Sequence, residues 1–183
     1  MTEDRIPKAM ERGSHVESTM HYLWHHMHEF EELRASGDNL ITDSSDRYAC
    51  GFPLPTFQRS LCWTPEQESR FIESAWLKLP IGSFTVHAMD WGKGGKAVGK
   101  SGWLIDGQQR LTTLERYWKD AFPVFGLYYS ELNGAEQRRF KSIKFPHFIV
   151  DLWDEDKIRD LYDRLAFGGT AHSETDRASL SRP

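Results

Sequence analysis

The sequence predicts one domain that mixes α-helices with β-strands. Apolar residues recur at helical spacing near the N-terminus, a Thr-Pro-Glu sequence at Thr64 starts a second helix, and short apolar runs bounded by glycine or proline follow it. The length of 183 residues suits one domain, or one domain with a docked extension. Apolar residues make up 39% of the chain, which is enough for a core and excludes disorder throughout.

The N-terminal third predicts one amphipathic helix. Ser14 and Glu17 approximate a capping box, and the predicted helix runs from Ser14 to about Ala35. Its apolar positions recur at three- and four-residue steps, and they are Met20, Leu23, Trp24, Met27 and Phe30. This face must pack on another surface, either on the domain or on a second copy of the chain in an oligomer.

The same helix carries a stripe of histidines. His21, His25 and His28 have a spacing that suits a metal ion. No carboxylate or cysteine completes such a site, so ordinary surface histidines are the favoured interpretation.

The later elements alternate between helices and extended segments. Residues 47–63 predict an extended loop that contains prolines, with a short strand or turn near Phe57. Thr64 as cap, Pro65 at the first helical position and an acid in the first turn predict a helix that ends near Lys78. The further predictions are strands over 81–89, 103–105 and 123–129, helices over 111–118 and 155–165, a turn at 133–134 and an extended segment over 145–153.

Composition and charge exclude several classes of protein. The net charge of −4 argues against a histone-like binder, so contact with nucleic acid requires a local cluster of positive charge. No stretch approaches the roughly 20 apolar residues of a membrane helix, and no apolar segment follows the charged N-terminus. Two cysteines are too few for a disulfide framework. We therefore expect a soluble protein without a membrane partner, located in the cytoplasm, or in the host cytoplasm if the gene is viral.

Residues 94–101 match the Walker A pattern G-x-x-x-x-G-K-[ST]. A working P-loop leads into a helix whose N-terminus receives the phosphates. Ser101 leads instead into the predicted strand 103–105, so we interpret the segment as a hairpin connection between two strands. Its exposed lysines could still attract a polyanion, and they are Lys93, Lys96 and Lys100.

A second candidate phosphate site lies at 105–114, where a predicted strand ends in a polar turn that opens a helix. Gly107 allows a tight turn, the first amides of a helix are unpaired, and Arg110 can hold phosphate oxygens in a bidentate manner. Asp106 could hold a divalent cation or accept a proton. The alternative is structural and more common: Asp106 caps the helix and Arg110 pairs with a surface acid.

The string Asp-Gly-Gln-Gln-Arg-Leu-Thr-Thr-Leu at 106–114 resembles the signature of the N-terminal domain of GmrSD-type restriction endonucleases, within the wider ParB/sulfiredoxin-like group. Three other segments are similar in the same order. Residues 55–59 with Trp63 resemble the family's Gln-Arg segment, residues 66–81 its helix ending in Leu-Pro-Ile, and residues 167–170 with Glu174 its Asn-Phe-Gly-Gly-Thr element. Ala166 stands where the family often has Asn. The resemblance covers about 53–174 and leaves out the N-terminal helix.

The resemblance implies an α+β fold with an N-terminal helical extension over 1–46, a ParB-like domain over 47–170 and a polar tail over 171–183. Carried over by position, Asp106 would be a catalytic acid and the ligand of Mg²⁺, and Arg110 a catalytic clamp on phosphate. The other residues implied in binding a nucleoside triphosphate (NTP) are Gly107, Gln108, Gln109, Gln58, Arg59 and Thr112. Arg59 could instead be a plain surface charge.

Large relatives carry a second nuclease domain of the His-Asn-His type, which we do not expect in this chain. The resemblance then implies a stand-alone enzyme that transfers a phosphoryl group from an NTP, as a hydrolase or a kinase, in DNA modification or defence. One version is a phage-encoded kinase that phosphorylates a hydroxymethylpyrimidine in DNA. Two alternatives stay open: a DNA nuclease or nuclease subunit of a modification-dependent restriction system, and a DNA-binding module switched by NTP.

Overall fold

The computed structural model describes residues 13–37, 46–93 and 95–167, and the predicted α+β fold is confirmed in these ranges. The strands are β1 (Gly13–Val16), β2 (Tyr48–Ala49), β3 (Phe52–Pro53), β4 (Phe84–His87), β5 (Leu104–Asp106) and β6 (His147–Val150). The helices are α1 (Met20–Ser36), α2 (Pro65–Trp76), α3 (Gln108–Trp118), α4 (Gly134–Lys141) and α5 (Glu155–Phe167), with a 3-10 helix at Tyr129–Glu131. The relationship to ParB and sulfiredoxin stays a prediction.

Four strands form the main sheet in the order β1-β6-β4-β5, while β2 and β3 pair as a separate hairpin. β4 and β6 run parallel, and the other two pairs are antiparallel. The helices α1 to α4 contribute to a core that includes Phe84 and Val86 of β4, and α5 packs with Ile105 and Val150 in a second cluster. Because helices lie on both sides of the sheet, all four residues of β4 are buried.

The N-terminal helix is shorter than predicted. Ser14 lies in β1 and not at a helix cap, and α1 begins only at Met20. β1 pairs with β6 from Gly13 opposite Val150 to Val16 opposite His147. The main-chain hydrogen bonds of this distant pairing outweigh the local capping signal.

The apolar face of α1 packs inside the domain. Met20 and Leu23 are fully buried and Met27 is nearly so, and all three belong to the main core. The N–H of Met20 also donates to the carbonyl of Ile143 at 2.9 Å. The predicted extension over 1–46 therefore shares a core with the rest of the chain where it is described. An oligomer through the exposed side of α1 stays a prediction.

Most of the later elements are confirmed. α2 begins with the predicted cap, in which Thr64 Oγ1 accepts a hydrogen bond from the N–H of Gln67 and Pro65 is the first helical residue. β4, β5, β6 and α5 lie at the predicted places: β4 and β6 are shorter than predicted, β5 is shifted by one residue, and α5 is slightly longer. α3 begins at Gln108 and not near Leu111, because Gly107 serves as its cap.

Two local predictions are wrong. Residues 123–129 do not form the predicted strand: an isolated bridge between Val124 and Leu127 closes a tight turn with Gly126 at φ 80°. Asn133 does not form a turn with Gly134: its side chain accepts hydrogen bonds from the N–H groups of Ala135 and Glu136 and so caps α4. Asn is a signal for both structures, and here Glu136 completes a capping box.

The segment with the Walker A pattern connects β4 to the antiparallel β5, as predicted for a hairpin connection. Ser101 Oγ accepts a hydrogen bond from the N–H of Asp90 at 3.1 Å, and the chain then enters β5 without forming a helix. No helix in the described ranges is long and apolar enough to cross a membrane. The predicted polar tail, the residues 168–170 and Glu174 lie outside the described residues.

Leu23→Ala should destabilise the protein by about 2–5 kcal/mol, because it removes a fully buried side chain from the main core. Glu32→Ala, on the exposed side of the same helix, should change the free energy of unfolding by less than about 0.5 kcal/mol. Urea unfolding measures both values. Equal stability of the two variants would show that α1 does not contribute to the core.

Lowering the pH should reduce stability. Burial lowers the pKa of His26 and of His147 below the ordinary value of 6.5. Just below pH 6.5 these two histidines therefore bind protons in the unfolded chain but not in the folded chain. The free energy of unfolding consequently decreases as the pH falls through about 6.5. Urea unfolding at about pH 8 and about pH 5.5 measures the decrease. The double variant His26→Asn, His147→Asn should show a smaller decrease, and an unchanged decrease would refute this origin.

Candidate functional site

A cleft of about 230 Å³ lies at the N-terminus of α3. Its walls are the turn from β5 into α3, the extended segment before α2, and one side of α5. The lining residues are Gln58, Arg59, Trp63, Ile105, Asp106, Gly107, Gln108, Gln109, Arg110, Tyr162, Leu165 and Ala166. The cleft thus brings together all the site residues named from the sequence except Thr112.

Gly107 makes the turn that opens the cleft. Its φ of 105° is a conformation that other residues rarely adopt. A Cβ atom at this position would lie 2.6 Å from Cβ of Phe84, so the turn packs directly on β4. Glycine therefore allows Asp106, at the end of β5, and the first turn of α3 to face the same cleft.

Asp106 and Arg110 form an ion pair within the cleft. Nη2 of Arg110 lies 2.6 Å from Oδ2 of Asp106, and the two side chains are 25% and 33% exposed, respectively. Nη1 of Arg110 lies close to Gly82, where an added Cβ would approach it to 3.4 Å. Nε of Arg110 is buried and has no hydrogen-bond partner in the part of the chain that the structure describes. The guanidinium is thus held in place but only partly satisfied.

This arrangement differs from the structural alternative considered for the sequence. Asp106 does not cap α3, since the cap residue is Gly107 and no side chain caps the helix. Arg110 does pair with an acid, but its partner is Asp106, one helical turn away and in the same cleft. Because both side chains are partly exposed, the pair contributes only about 0–1 kcal/mol. An anion can therefore compete with Asp106 for the guanidinium.

Gln58 joins the extended segment to β5. Its side chain is buried, and Nε2 donates to the carbonyl of Ile105 at 3.1 Å and to the carbonyl of Leu104. The predicted role of Gln58 was nucleotide binding. That role stays a prediction, and in the structure the Gln58 amide fixes the position of one wall.

Gln108 and Gln109 hold the same wall from the other side. Nε2 of Gln108 donates to the carbonyl of Arg59 at 3.1 Å. Oε1 of Gln109 accepts hydrogen bonds from the N–H groups of Cys62 and Trp63, both at 3.2 Å. The side-chain amides of the motif thus set the shape of the cleft, while its charged residues, Asp106 and Arg110, pair with each other inside it.

Arg59 and Thr112 differ in their position relative to the cleft. The Arg59 side chain is exposed, lines the cleft and makes no ion pair with any described residue. Thr112 is half-buried and does not line the cleft. It follows Gln108 by four residues, which places it about 6 Å further from the helix N-terminus.

Sequence reasoning missed the wall that α5 provides. Tyr162 is buried, and its hydroxyl accepts a hydrogen bond from the N–H of Arg59 at 3.4 Å. Leu165 and Ala166 follow on the same side of the helix. Their spacing of three and four residues from Tyr162 indicates a shared face, but the pattern does not say what that face meets.

The charges of the cleft favour an anion. Arg59 and Arg110 outnumber the single carboxylate of Asp106 among the lining residues. The first turn of α3 contains no acidic residue, and the amides at a helix N-terminus carry partial positive charge. A phosphate group is a natural ligand for such an arrangement.

The described side chains fit Mg²⁺ as part of a site that it shares with a phosphate. The described residues include no group of three or more His, Cys, Asp or Glu side chains that could hold a metal ion. Among the described residues that line the cleft, Asp106 offers the one carboxylate. Mg²⁺ is commonly bound by one or two carboxylates plus the oxygens of a substrate phosphate, so Asp106 fits a shared site of this kind.

Comparison with known proteins gives one finding about family. A family model described as "GmrSD restriction endonuclease, N-terminal domain" matches residues 38–177, well over half of the chain and including every residue that lines the cleft. No curated protein and no solved structure matches the chain significantly.

Gly107→Ala should destabilise the protein by about 2–6 kcal/mol, the sum of backbone strain and the close contact with Phe84. Gly95→Ala is the matched control, because Gly95 also has a positive φ of 74° but no atom within 4 Å of an added Cβ. Its cost should be about 1 kcal/mol. Equal costs in thermal or urea unfolding would mean that the turn does not pack on β4.

Proposed function

The chain belongs to the family of GmrSD restriction endonuclease N-terminal domains, and we propose that it is a subunit of a DNA restriction nuclease whose cleft at α3 binds the phosphates of an NTP. The family match favours the nuclease subunit, one of the alternatives from the sequence, over the stand-alone kinase or hydrolase. Binding of DNA by this chain belongs to the same proposal.

One observation carries the nucleotide part of the proposal. The guanidinium of Arg110, the exposed Arg59 and the N-terminus of α3 converge on one cleft, and the described residues that line it include a single carboxylate. An ordinary surface ion pair needs neither a glycine turn nor three glutamine amides that shape a cleft wall. The presence of both supports a binding role for this pair. Arg110 also retains a buried N–H without a partner among the described residues, which a ligand oxygen could satisfy.

The ion pair suggests how the cleft acts on a nucleotide. A phosphate oxygen replaces the carboxylate of Asp106 on the guanidinium of Arg110, and Asp106 becomes available for a proton or a metal ion. In hydrolysis the oxygen of a water molecule forms a bond to the terminal phosphorus, and the bond from that phosphorus to the bridging oxygen breaks. Asp106 accepts the proton of the water, and Arg110 stabilises the charge of the leaving diphosphate. Mg²⁺ bound with the nucleotide would neutralise part of the phosphate charge.

The fate of a labelled nucleotide separates the possible activities. The purified chain is incubated with γ-labelled NTP, Mg²⁺ and supercoiled plasmid DNA carrying either ordinary or hydroxymethylated cytosine. Free labelled phosphate indicates hydrolysis, label on DNA indicates a kinase, and nicked plasmid indicates a nuclease that acts without a partner subunit. Retention of intact nucleotide indicates a switch. Absence of all four outcomes, with no heat of binding for any NTP, would refute the proposal.

Arg110→Ala should weaken NTP binding by about 10- to 150-fold, which corresponds to loss of a charge-assisted hydrogen bond of about 1.5–3 kcal/mol. Calorimetric titration with each common NTP and Mg²⁺ measures this change. Arg164→Ala is the matched control, because Arg164 also pairs with a carboxylate one turn earlier, Asp160, but does not line the cleft.

Asp106→Asn separates binding from turnover. It removes a negative charge that competes for Arg110, so binding of the phosphates should be retained while hydrolysis is slowed. Unchanged turnover in this variant would show that Asp106 does not handle the proton.

A further inference from the structure

A second cavity, of about 320 Å³, lies at the other end of β4 from the cleft. It is bounded by α1, by the β2–β3 hairpin and by the residues that follow β4. The Asp-Gly-Gln-Gln-Arg turn takes no part in it. Its volume is within the range of sites that bind small molecules or single chemical groups.

Flat ring systems and aliphatic side chains form its walls. His26 stacks on Phe52 with ring centroids 4.0 Å apart and an interplanar angle of 8°. Tyr22 stacks on His147 at 5.3 Å and 5°. Val86 and Ile149 of the sheet supply aliphatic surface. Such walls suit a planar ring, which gains by contact with aromatic faces and apolar side chains.

The cavity also offers hydrogen-bonding groups along one side. The phenol of Tyr22 is a donor, since burial and, to a smaller extent, the nearby Glu29 raise its pKa. Nδ1 of His26 lies 2.8 Å from the carbonyl of Cys50, which leaves Nε2 as an acceptor on the neutral ring. The Glu29 carboxylate is a further acceptor and makes the cavity itself unsuitable for a phosphate. A neutral ring with donors and acceptors on its edge matches this set better than a hydrocarbon does.

An exposed aromatic residue lies at the mouth of the cavity, on a loop that also carries the exposed Lys93 and Lys96 and the carboxylate of Asp90, which accepts a hydrogen bond from the N–H of Trp91 at 2.8 Å. Trp91 is 54% exposed and lines the cavity. It forms an isolated bridge with Ala97, and the N–H of Gly92 donates to the carbonyl of Lys96 at 2.9 Å, so Lys96 lies beside Trp91. Lys93 and Lys96 make no ion pair within the described ranges, whereas Lys100 lies 3.9 Å from Glu155.

We propose that this cavity binds a nucleobase that is unstacked from DNA, with Trp91 stacking on or covering the base and with Lys93 and Lys96 contacting the neighbouring phosphates. The aromatic walls and the polar edge match the base, and the lysines match the backbone on either side of it. The proposal is independent of nucleotide binding in the cleft, because the two sites share no lining residue.

The test compares three DNA duplexes of equal length, measured by fluorescence anisotropy with the purified chain. One duplex carries a single looped-out thymine, one carries an abasic site in the same bulge, and one is fully paired. The thymine bulge should bind at least about fivefold more tightly than the abasic bulge, a factor that corresponds to the lower end of the stacking energy of a base on an aromatic side chain. Equal affinity of the two bulged duplexes would overturn the proposal.

Substitutions test whether the preference for the thymine bulge arises in this cavity. Trp91→Ala should remove the preference for the thymine bulge, whereas Phe125→Ala, at another exposed aromatic residue that does not line the cavity, should preserve it. The double variant Lys93→Gln, Lys96→Gln should weaken binding of all three duplexes about equally and lower the salt dependence. A preference that survives in the Trp91 variant would exclude this cavity as its origin.

Three further measurements locate the base on the protein, identify whether it comes from DNA or from a free nucleoside, and separate this proposal from nucleotide binding in the cleft. Replacing the looped-out thymine by 5-iodouracil and irradiating the complex should crosslink the peptide that contains Trp91 or Tyr22. Binding of free thymidine without any preference among the duplexes would overturn the DNA source and indicate a soluble nucleoside. Arg110→Ala should leave the base preference unchanged, so failure of nucleotide binding in the cleft does not produce failure here.

Discussion

The turn at Gly107 is the constraint on which the cleft depends. Its positive φ and its contact with Phe84 place the end of β5 and the start of α3 directly against the central strand β4. The ion pair between Asp106 and Arg110 can form in the cleft because that turn fixes both ends. A longer or looser connection would leave the same residues on the surface without a common cleft.

The glutamines of the Asp-Gly-Gln-Gln-Arg motif determine the shape of the cleft, and its acid and arginine determine the charge. Gln108 and Gln109, together with Gln58, use their amides to hold the extended wall, and this leaves little of their hydrogen-bonding capacity for a ligand. Arg110 and Asp106 can still form further hydrogen bonds, because both side chains of this ion pair are partly exposed. A glutamine replacement and an arginine replacement in the motif therefore act on different properties of the cleft.

Local signals in the sequence predicted much of the fold but little of its long-range pairing. Thr64 with Pro65 marked α2, and the short apolar runs marked β4 and β5, because these signals act within a few residues. β1 could not be predicted in this way, since Gly13–Val16 becomes a strand only by pairing with β6 near the other end of the chain. For the cleft, the motif located the charged residues, but the contribution of Tyr162 and the internal bonding of the glutamines depend on tertiary contacts.

The segment that the family model matches is shorter at its N-terminal end than the segment that folds together. The match begins at residue 38, after β1 and α1, yet β1 forms an edge of the main sheet and α1 contributes three side chains to the core. α1 also supplies Tyr22 and His26 to the second cavity. A fragment that begins at residue 38 lacks β1 and α1, and therefore part of the hydrophobic core. A domain transferred to another protein consequently has to include the segment that begins at Gly13.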